Sequence, residues 1–310
     1  MSFNKGSKGK KERHTKIIVT ILWLYFSIMA IFILHYVRRV FVAERFFIPT
    51  SSMSPTLDPG DHIWVNKLLF GARIYKRFDF VDHAPLECIR MPGLRKIRPN
   101  DIVIFNHPFG YDDWNRIEFK INHVCCKRVA GTPGDTLTIT NSITHNSNYD
   151  GIIGRIEKQE QLDSITDSAL LSYICNNNDV KDYYSKIGIN LQLELIIDSA
   201  FLMNQVLTAI PLSLPTWTIK NAGPLYVPAQ GDTVELTDFN RELYWLVIQY
   251  ETGSKPTKEM KQYTFKQNYY FMLGDNSCDS QDSRYFGFVP EDFIVGIVGG
   301  RKVRKGLSAE

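Results

Sequence analysis

The sequence predicts a mainly β protein with one N-terminal membrane helix and an inserted region. Short apolar segments, bounded by turns rich in Gly, Pro and Asp, recur before residue 141 and after residue 264. A run of twenty-one residues near the N-terminus contains no Lys, Arg, Asp or Glu. Between about residues 141 and 264 the composition changes, with clustered Asn and Ser and then several prolines. These observations predict an anchored β core that is interrupted by a separate cap.

The uncharged run extends from Ile17 to Val37. As an α-helix it would be about 31 Å long, which matches the hydrocarbon core of a bilayer, at ~30 Å. Six Lys or Arg and one Glu precede it within residues 1–16, so the positive-inside rule keeps this basic tail in the cytoplasm. The alternative, a cleaved signal peptide, would have a shorter apolar run that ends in small residues. The sequence therefore favours an uncleaved, single-pass anchor.

The β core is predicted in two parts, residues 38–140 and 265–310, with an inserted cap domain over 141–264. Two parts of the cap, Gln159 to Leu171 and Leu191 to Leu207, show helical spacing. Alternating or fully apolar segments predict the strands of the core. These segments are His62–Asn66, Asp101–Phe105, Asn122–Ala130, Thr136–Thr140 and Tyr269–Leu273.

Charge and cysteine content narrow the function classes. The formal charge of +3 arises from the basic tail, so nucleic acid is not an expected partner. Five cysteines form no CxxC pattern and no even disulfide framework, and most are expected to be structural. HExxH, Walker and GxSxG motifs are absent from the sequence, so no motif indicates a zinc protease, an NTPase or an α/β-hydrolase. We expect no metal and no cofactor.

Three segments form a set: PTSSMSPTL over residues 49–57, CKRVAGTPGD over 126–135 and LGDNSCDSQDSRYFGFVP over 273–290. Together with Asp101–Phe105, they resemble the ordered boxes of type I signal peptidases, which also follow an N-terminal membrane helix. The resemblance covers about half of the chain and leaves residues 141–264 outside it. It implies an antiparallel signal-peptidase-type β core.

The residues of these boxes include a serine and a lysine that could act together as nucleophile and base. A serine hydroxyl is a weak nucleophile that needs a nearby base, and a lysine can serve only when it is neutral. Lys127 lies in an apolar strand, where burial would lower its pKa. Strand alternation places Cys125, Lys127 and Val129 on one side and Arg128 on the other.

The resemblance implies the role of each site residue. It makes Ser52 the nucleophile, Lys127 the general base, Thr50 an oxyanion-hole donor and Ser280 the group that orients the lysine. It assigns shallow pockets for small substrate residues to Ile48, Met53, Leu57 and Cys125. Asp282 and Arg284 are predicted to form an internal ion pair that supports the last box.

The predicted function is the removal of signal peptides from exported preproteins at the outer face of a bacterial cytoplasmic membrane. The expected partners are signal peptides, the lipid bilayer and the secretion translocon. One alternative is a self-cleaving Ser-Lys peptidase of the LexA type, but that class lacks a membrane anchor and usually carries a helix-turn-helix. A second alternative is a catalytically inactive membrane-anchored binding protein, against which the retained Ser52, Lys127 and Ser280 argue.

Overall fold

A computed structural model describes residues 5–77, 86–109, 116–164, 217 and 219–299, with side chains from residue 16 onward. The described residues form a mainly β structure, as predicted. Their strands are β1 (Ala43–Phe47), β2 (His62–Asn66), β3 (Arg73–Tyr75), β4 (Cys88–Arg90), β5 (Ile102–Asn106), β6 (Val124–Gly131), β7 (Thr136–Thr140), β8 (Ile143–Asn146), β9 (Ala222–Tyr226), β10 (Thr233–Glu235), β11 (Gln262–Thr264), β12 (Tyr269–Leu273), β13 (Val289–Pro290) and β14 (Ile294–Val298).

The main sheet contains seven strands in the order β1-β2-β14-β5-β6-β12-β13, and its neighbours are antiparallel. A three-stranded sheet, β8-β7-β9, adjoins it, and β3-β4 and β10-β11 are two-stranded ribbons. The predicted antiparallel β core is therefore confirmed. Strands from distant parts of the sequence become neighbours here, since β14 pairs with both β2 and β5.

Two apolar clusters hold the sheet. The larger joins the inner faces of β5, β6 and β12 to residues of the 141–264 region, and it includes Val103, Phe105, Val129, Leu137 and Phe271. The smaller lies on the opposite face of β5 and is centred on Ile63 and Ile104. Because side chains alternate along a strand, successive residues of β5 belong to different clusters.

The N-terminal helix α1 (Lys5–Val37) is followed without a break by a π-helical turn (Arg38–Val42) and then by β1. Within the described part of the chain, one helical span, Lys16–Val42, is long and apolar enough to cross a membrane, and its most apolar stretch is not buried against protein. Lys67 ties the end of this span to the sheet, because its ammonium donates to the Arg39 carbonyl at 2.9 Å and its N–H donates to the Val42 carbonyl at 2.8 Å.

The described part of the 141–264 segment shares the larger core with the main sheet. It contains the strands β8, β9, β10 and β11 and two longer helices, α2 (Ile156–Ser164) and α3 (Asp238–Thr252). Helix α2 begins three residues before the first predicted stretch of helical spacing and overlaps its start. The rest of that stretch, and Leu191–Leu207, lie outside the described residues. The limits of a cap domain at 141 and 264 stay a prediction.

Helix α3 was not predicted, because prolines on its N-terminal side suggested broken structure. Local signals nevertheless define it. The Thr237 hydroxyl accepts a hydrogen bond from the Asn240 N–H at 3.1 Å and so caps the first turn. Gly253, with φ of 81°, ends the helix in the left-handed conformation that glycine adopts without strain. The buried face of the helix consists of Leu243, Tyr244, Leu246, Val247, Ile248 and Tyr250.

Candidate active site

Ser52 lies in the loop between β1 and β2. The loop is closed by backbone hydrogen bonds from Ile48 N–H to the Asp61 carbonyl and from Gly60 N–H to the Ile48 carbonyl, both at 2.9 Å. Buried Met53 follows the serine, and its carbonyl accepts the N–H of Leu57. These anchors hold Ser52 half-buried at the surface of the loop. The Thr50 hydroxyl oxygen is 3.4 Å from Ser52 Oγ.

Lys127 is the fourth residue of β6 and pairs with Val103 of β5. Only 4% of its surface is exposed. Burial lowers its pKa, because the ammonium loses hydration that the protein does not replace, and the negative charge of Asp282 opposes this shift in part. The predicted setting, a lysine in an apolar strand with a depressed pKa, is present in the structure.

Gly274 lies near three of the four catalytic candidates, Ser52, Lys127 and Ser280. A Cβ at this position would lie 2.0 Å from Ser280 Oγ and 2.7 Å from the Ser52 carbonyl oxygen, so only glycine fits. Leu273 of β12 pairs with Arg128 of β6, and continuing this antiparallel register brings Gly274 opposite Lys127. The Ser52 backbone, the Ser280 side chain and the Lys127 strand therefore meet around one glycine.

The loop from Gly274 to Asp282 is also hydrogen-bonded to the serine loop. Asn276 N–H donates to the Ser52 carbonyl at 3.0 Å, and the Asn276 side-chain amide donates to the Ser51 carbonyl at 3.3 Å. The Ser51 hydroxyl donates to the Asp279 carboxylate. Sequence reasoning gave no individual role to Gly274 or Asn276, although both stand in the quoted LGDN segment. The segment therefore contained both residues, but their contacts form only when distant parts of the chain come together.

Ser280 is buried, with only 8% of its surface exposed. Its hydroxyl has no hydrogen-bond partner among the described residues. A buried hydroxyl without a partner costs free energy, on the order of 1–3 kcal/mol. This hydroxyl is therefore available for a hydrogen bond that forms during the reaction. The orienting role that the resemblance implies for Ser280 stays a prediction.

Asp282 and Arg284 form the predicted internal ion pair. Arg284 Nη2 donates to Asp282 Oδ2 at 2.8 Å, and Arg284 Nε donates to Oδ1 at 2.9 Å. Asp282 Oδ2 also accepts the Gly274 N–H at 2.9 Å, which ties the pair to the site. Burial alone would raise the pKa of Asp282, but the charge and hydrogen bonds of Arg284 outweigh it and hold the pKa below its usual value.

A second ion pair fixes the start of the same loop. Arg128 donates from Nε and Nη2 to the two carboxylate oxygens of Asp275, each at 2.6 Å. Sequence alternation placed Arg128 on the side of β6 opposite Lys127, and no role was predicted for it. The structure shows that it attaches β6 to the loop that carries Ser280. This bidentate pair therefore positions two of the three boxes relative to each other.

The family model described as "Signal peptidase, peptidase S26" matches residues 20–150 and 223–301. The chain belongs to this family. The predicted enzyme class, signal peptidase I, is therefore confirmed, and the family supports signal peptide removal as the general function. The match leaves out residues 151–222, most of which lie outside the described residues.

Curated relatives of the chain share the family name. It is 28% identical over 309 residues to signal peptidase I of Buchnera aphidicola subsp. Acyrthosiphon pisum. The aligned region covers 95% of this chain and 78% of that relative. It is 25% identical over 276 residues to signal peptidase I of Aquifex aeolicus, and this alignment covers 89% of this chain and 80% of that relative. A solved signal peptidase I from Enterococcus faecalis shares 19% identity and covers 66% of this chain and 97% of that chain, with a TM-score of 0.23. The last value is too low to support a structural comparison.

In this family member, the predicted pocket residues divide between the two apolar clusters. Ile48, Met53 and Leu57 are buried together in the smaller cluster. Cys126 packs against that cluster, whereas Cys125 packs against the larger core. The register explains the division, because Cys126 pairs with Ile104 of the smaller cluster and Cys125 pairs with Phe105 of the larger one. The structure thus places Cys125 apart from the other three.

The two thiols on β6 stay protonated near neutral pH. Burial raises the pKa of Cys125 to about 11 and that of Cys126 to about 12, although the charge of Lys127 lowers both in part. Neither thiol can therefore replace the serine as a nucleophile. The described cysteines, Cys88, Cys125, Cys126 and Cys278, are unbridged, and Cys175 lies outside the described residues. No group of three or more potential metal ligands occurs in the described ranges.

Proposed function

We propose that this protein is a membrane-anchored signal peptidase in which Ser52 and Lys127 act as a nucleophile–base dyad on exported preproteins. The observation that carries the proposal is the buried Lys127, with its lowered pKa, on the strand that meets Ser52 and Ser280 at Gly274. A neutral lysine at this place can accept the serine proton, which a solvated lysine cannot do at neutral pH.

The reaction would proceed through an acyl-enzyme. Ser52 Oγ attacks the scissile carbonyl while Lys127 Nζ takes its proton, and the developing oxyanion receives hydrogen bonds from Ser52 N–H and the Thr50 hydroxyl. Collapse of the tetrahedral intermediate breaks the C–N bond, and Lys127 returns the proton to the leaving amine. Lys127 then takes a proton from a water molecule, which attacks the ester carbonyl. The C–O bond to Ser52 breaks, and Lys127 gives that proton to the departing Ser52 Oγ, which restores both residues. Each oxyanion donor of this type is worth about 3 kcal/mol in the transition state.

The Ser280 hydroxyl would hold the lysine nitrogen toward Ser52. Its lack of a partner among the described residues leaves its proton and lone pairs available for this bond. Ile48, Met53 and Leu57 would form the apolar floor beneath the small substrate side chains, because they belong to one cluster and Met53 directly follows Ser52. Cys125 remains a predicted pocket residue, and its packing against the larger core makes Cys126 the better placed of the two thiols.

A cleavage assay tests the dyad directly. Purified full-length protein in detergent should cut a preprotein at one site, with small residues at −1 and −3, and mass spectrometry should locate the cut. Ser52→Ala should yield no product, whereas Ser54→Ala, a matched change in the same loop, should cleave normally. An inactive wild type, with correctly folded protein and several preproteins, would favour the inactive binding-protein alternative.

We further propose that α1 anchors the chain once, with residues 1–16 in the cytoplasm and the catalytic part outside. The apolar span and the basic residues before it support this orientation. The translocon and the bilayer would then be neighbours of the enzyme. We also retain 141–264 as a proposed cap domain inserted between the core parts 38–140 and 265–310.

Protease accessibility checks the orientation. In cells whose outer barrier, if present, has been permeabilised, added protease should degrade the part of the chain beyond residue 42 while a cytoplasmic marker stays intact. A tag fused before Met1 should survive until the cytoplasmic membrane is also broken. The reverse pattern, with an exposed tag and a protected catalytic part, would contradict the proposed topology.

A further inference from the structure

A cavity of about 530 Å³ lies between the end of the apolar helix and the main sheet. Tyr36, Arg39 and Val40 line it from the helix side. Glu44, Lys67 and Arg73 line it from the sheet side, outside the catalytic site described above. A volume of this size suits a small polar headgroup rather than a single ion.

The charged residues of the cavity do not balance. Three cationic side chains face one carboxylate, that of Glu44. Arg39 Nε donates to this carboxylate at 2.7 Å and Lys67 Nζ donates to it at 2.8 Å. The Lys67 side chain is only 12% exposed. Two positive charges therefore exceed the acidic charge in a partly dehydrated space, which favours an anion there.

Arg73 is the cation without an acidic partner in this cavity. Its Nη1 donates to the Asp292 backbone carbonyl at 2.8 Å, and among the described residues no carboxylate lies within salt-bridge distance of it. Its guanidinium lies 5.4 Å from the Tyr75 ring centre and 5.8 Å from that of Phe119. Burial lowers its pKa, because the cation has lost water, and the negative charge of Asp292 nearby opposes this shift only in part. A phosphate would supply a counter-charge, and guanidinium is well suited to bind it.

The exposed residues that line the cavity include apolar ones, beside the polar Tyr36, Arg39 and Asn122. Val40, Ile121 and Val124 line it and are nevertheless 39%, 44% and 39% exposed. They lie beside the end of the helix, where the proposed anchor leaves the membrane. A ligand would therefore meet cations inside the cavity and hydrocarbon-compatible surface at its opening, which is the polarity of an amphiphile at a bilayer surface.

We propose that this cavity binds the phosphate headgroup of an anionic membrane phospholipid. Lys67 and Arg73 would hold the phosphate, and the acyl chains would leave past Val40 and Ile121 into the bilayer. The inference goes beyond peptide cleavage and rests on the proposed anchoring by α1. Inorganic phosphate shares the binding chemistry but lacks the acyl chains, so the two sources can be distinguished.

Native mass spectrometry of the full-length protein in detergent tests the proposal, with phosphatidylglycerol, phosphatidylcholine and inorganic phosphate as probes. We expect one phosphatidylglycerol per chain, bound at least about tenfold more tightly than either other probe. Lys67→Gln should weaken this binding about tenfold. Glu44→Gln should tighten it several-fold, because it frees both cations, and a gain of affinity cannot result from misfolding.

Arg45→Gln is the matched control. It removes an exposed positive charge from the same strand as Glu44, but Arg45 does not line the cavity, so lipid binding should change less than about twofold. Equal losses for Lys67→Gln and Arg45→Gln would mean general surface attraction and would overturn the proposal. So would phosphate binding as tight as lipid binding. Flotation with phosphatidylcholine vesicles and peptide cleavage in detergent, measured on the same samples, report anchoring and catalysis separately.

Discussion

Lys127→Arg should lower kcat/KM for a signal-peptide substrate by at least about a thousandfold, although it keeps the positive charge. A guanidinium does not release its proton in the working pH range and cannot act as a base. Lys127→Ala should lose a similar amount, and the Ser52→Ala, Lys127→Ala double variant should be little worse, since the two residues act as one unit. Steady-state kinetics with a labelled peptide measures this.

The pH profile follows from the lowered pKa. The neutral amine is the active form, so the rate should rise with pH through the folded pKa of Lys127, which lies below the usual 10.5. Exposed Lys96→Arg is the matched control and should retain full activity and the same profile. Lys127→Met should be at least as stable as wild type, because it removes the cost of a buried amine. Substantial cleavage by folded Lys127→Arg would mean that another residue, such as a histidine, is the base.

Arg284→Met should reduce the free energy of unfolding by about 3–5 kcal/mol, because it leaves the Asp282 carboxylate buried without its counter-charge. Asp282 is fully buried, and Arg284 supplies two of its side-chain hydrogen bonds. Denaturant unfolding followed by fluorescence measures the loss. Arg95→Met is the matched control, since the Arg95–Asp101 pair is 27% and 17% exposed and should contribute about 1 kcal/mol or less.

This pair also has a pH signature. The folded pKa of Asp282 is held below the usual 3.8, so its contribution to stability is complete above that value and is lost as pH falls through the folded pKa. Wild type should therefore lose more stability on acidification below about pH 4 than Arg284→Met does. Equal stability of the two proteins at neutral pH would show that the pair does not support the loop that carries Ser280.

Local sequence patterns predicted individual strands well. The ranges of β2, β7 and β12 agree with the prediction, and those of β5 and β6 differ by one or two residues at their ends. These segments are apolar enough to be buried wherever the chain places them. Strand β1 was missed because its AERFF sequence alternates weakly and is extended mainly by pairing with β2. Its formation depends on a partner that lies beyond the serine loop.

The geometry of the candidate site was harder to predict from the sequence than the individual strands. The boxes indicated which residues belong together, but the meeting of Ser52 and Ser280 at Gly274 depends on contacts across more than two hundred residues. The division of Cys125 and Cys126 between two clusters is set by the register of β5 and β6. A one-residue change of register reverses every side chain of a strand, and no single-strand pattern determines it.

The bond from Lys67 to the last turn of the apolar span has a consequence for substrate choice. No flexible linker separates that span from β1, because the π-helical turn leads directly into the strand. In the proposed anchored orientation, the nucleophile is therefore held at a constant height above the lipid. The enzyme would then select substrates by length, because the length of the apolar segment in a preprotein determines whether its scissile bond lies at the level of Ser52.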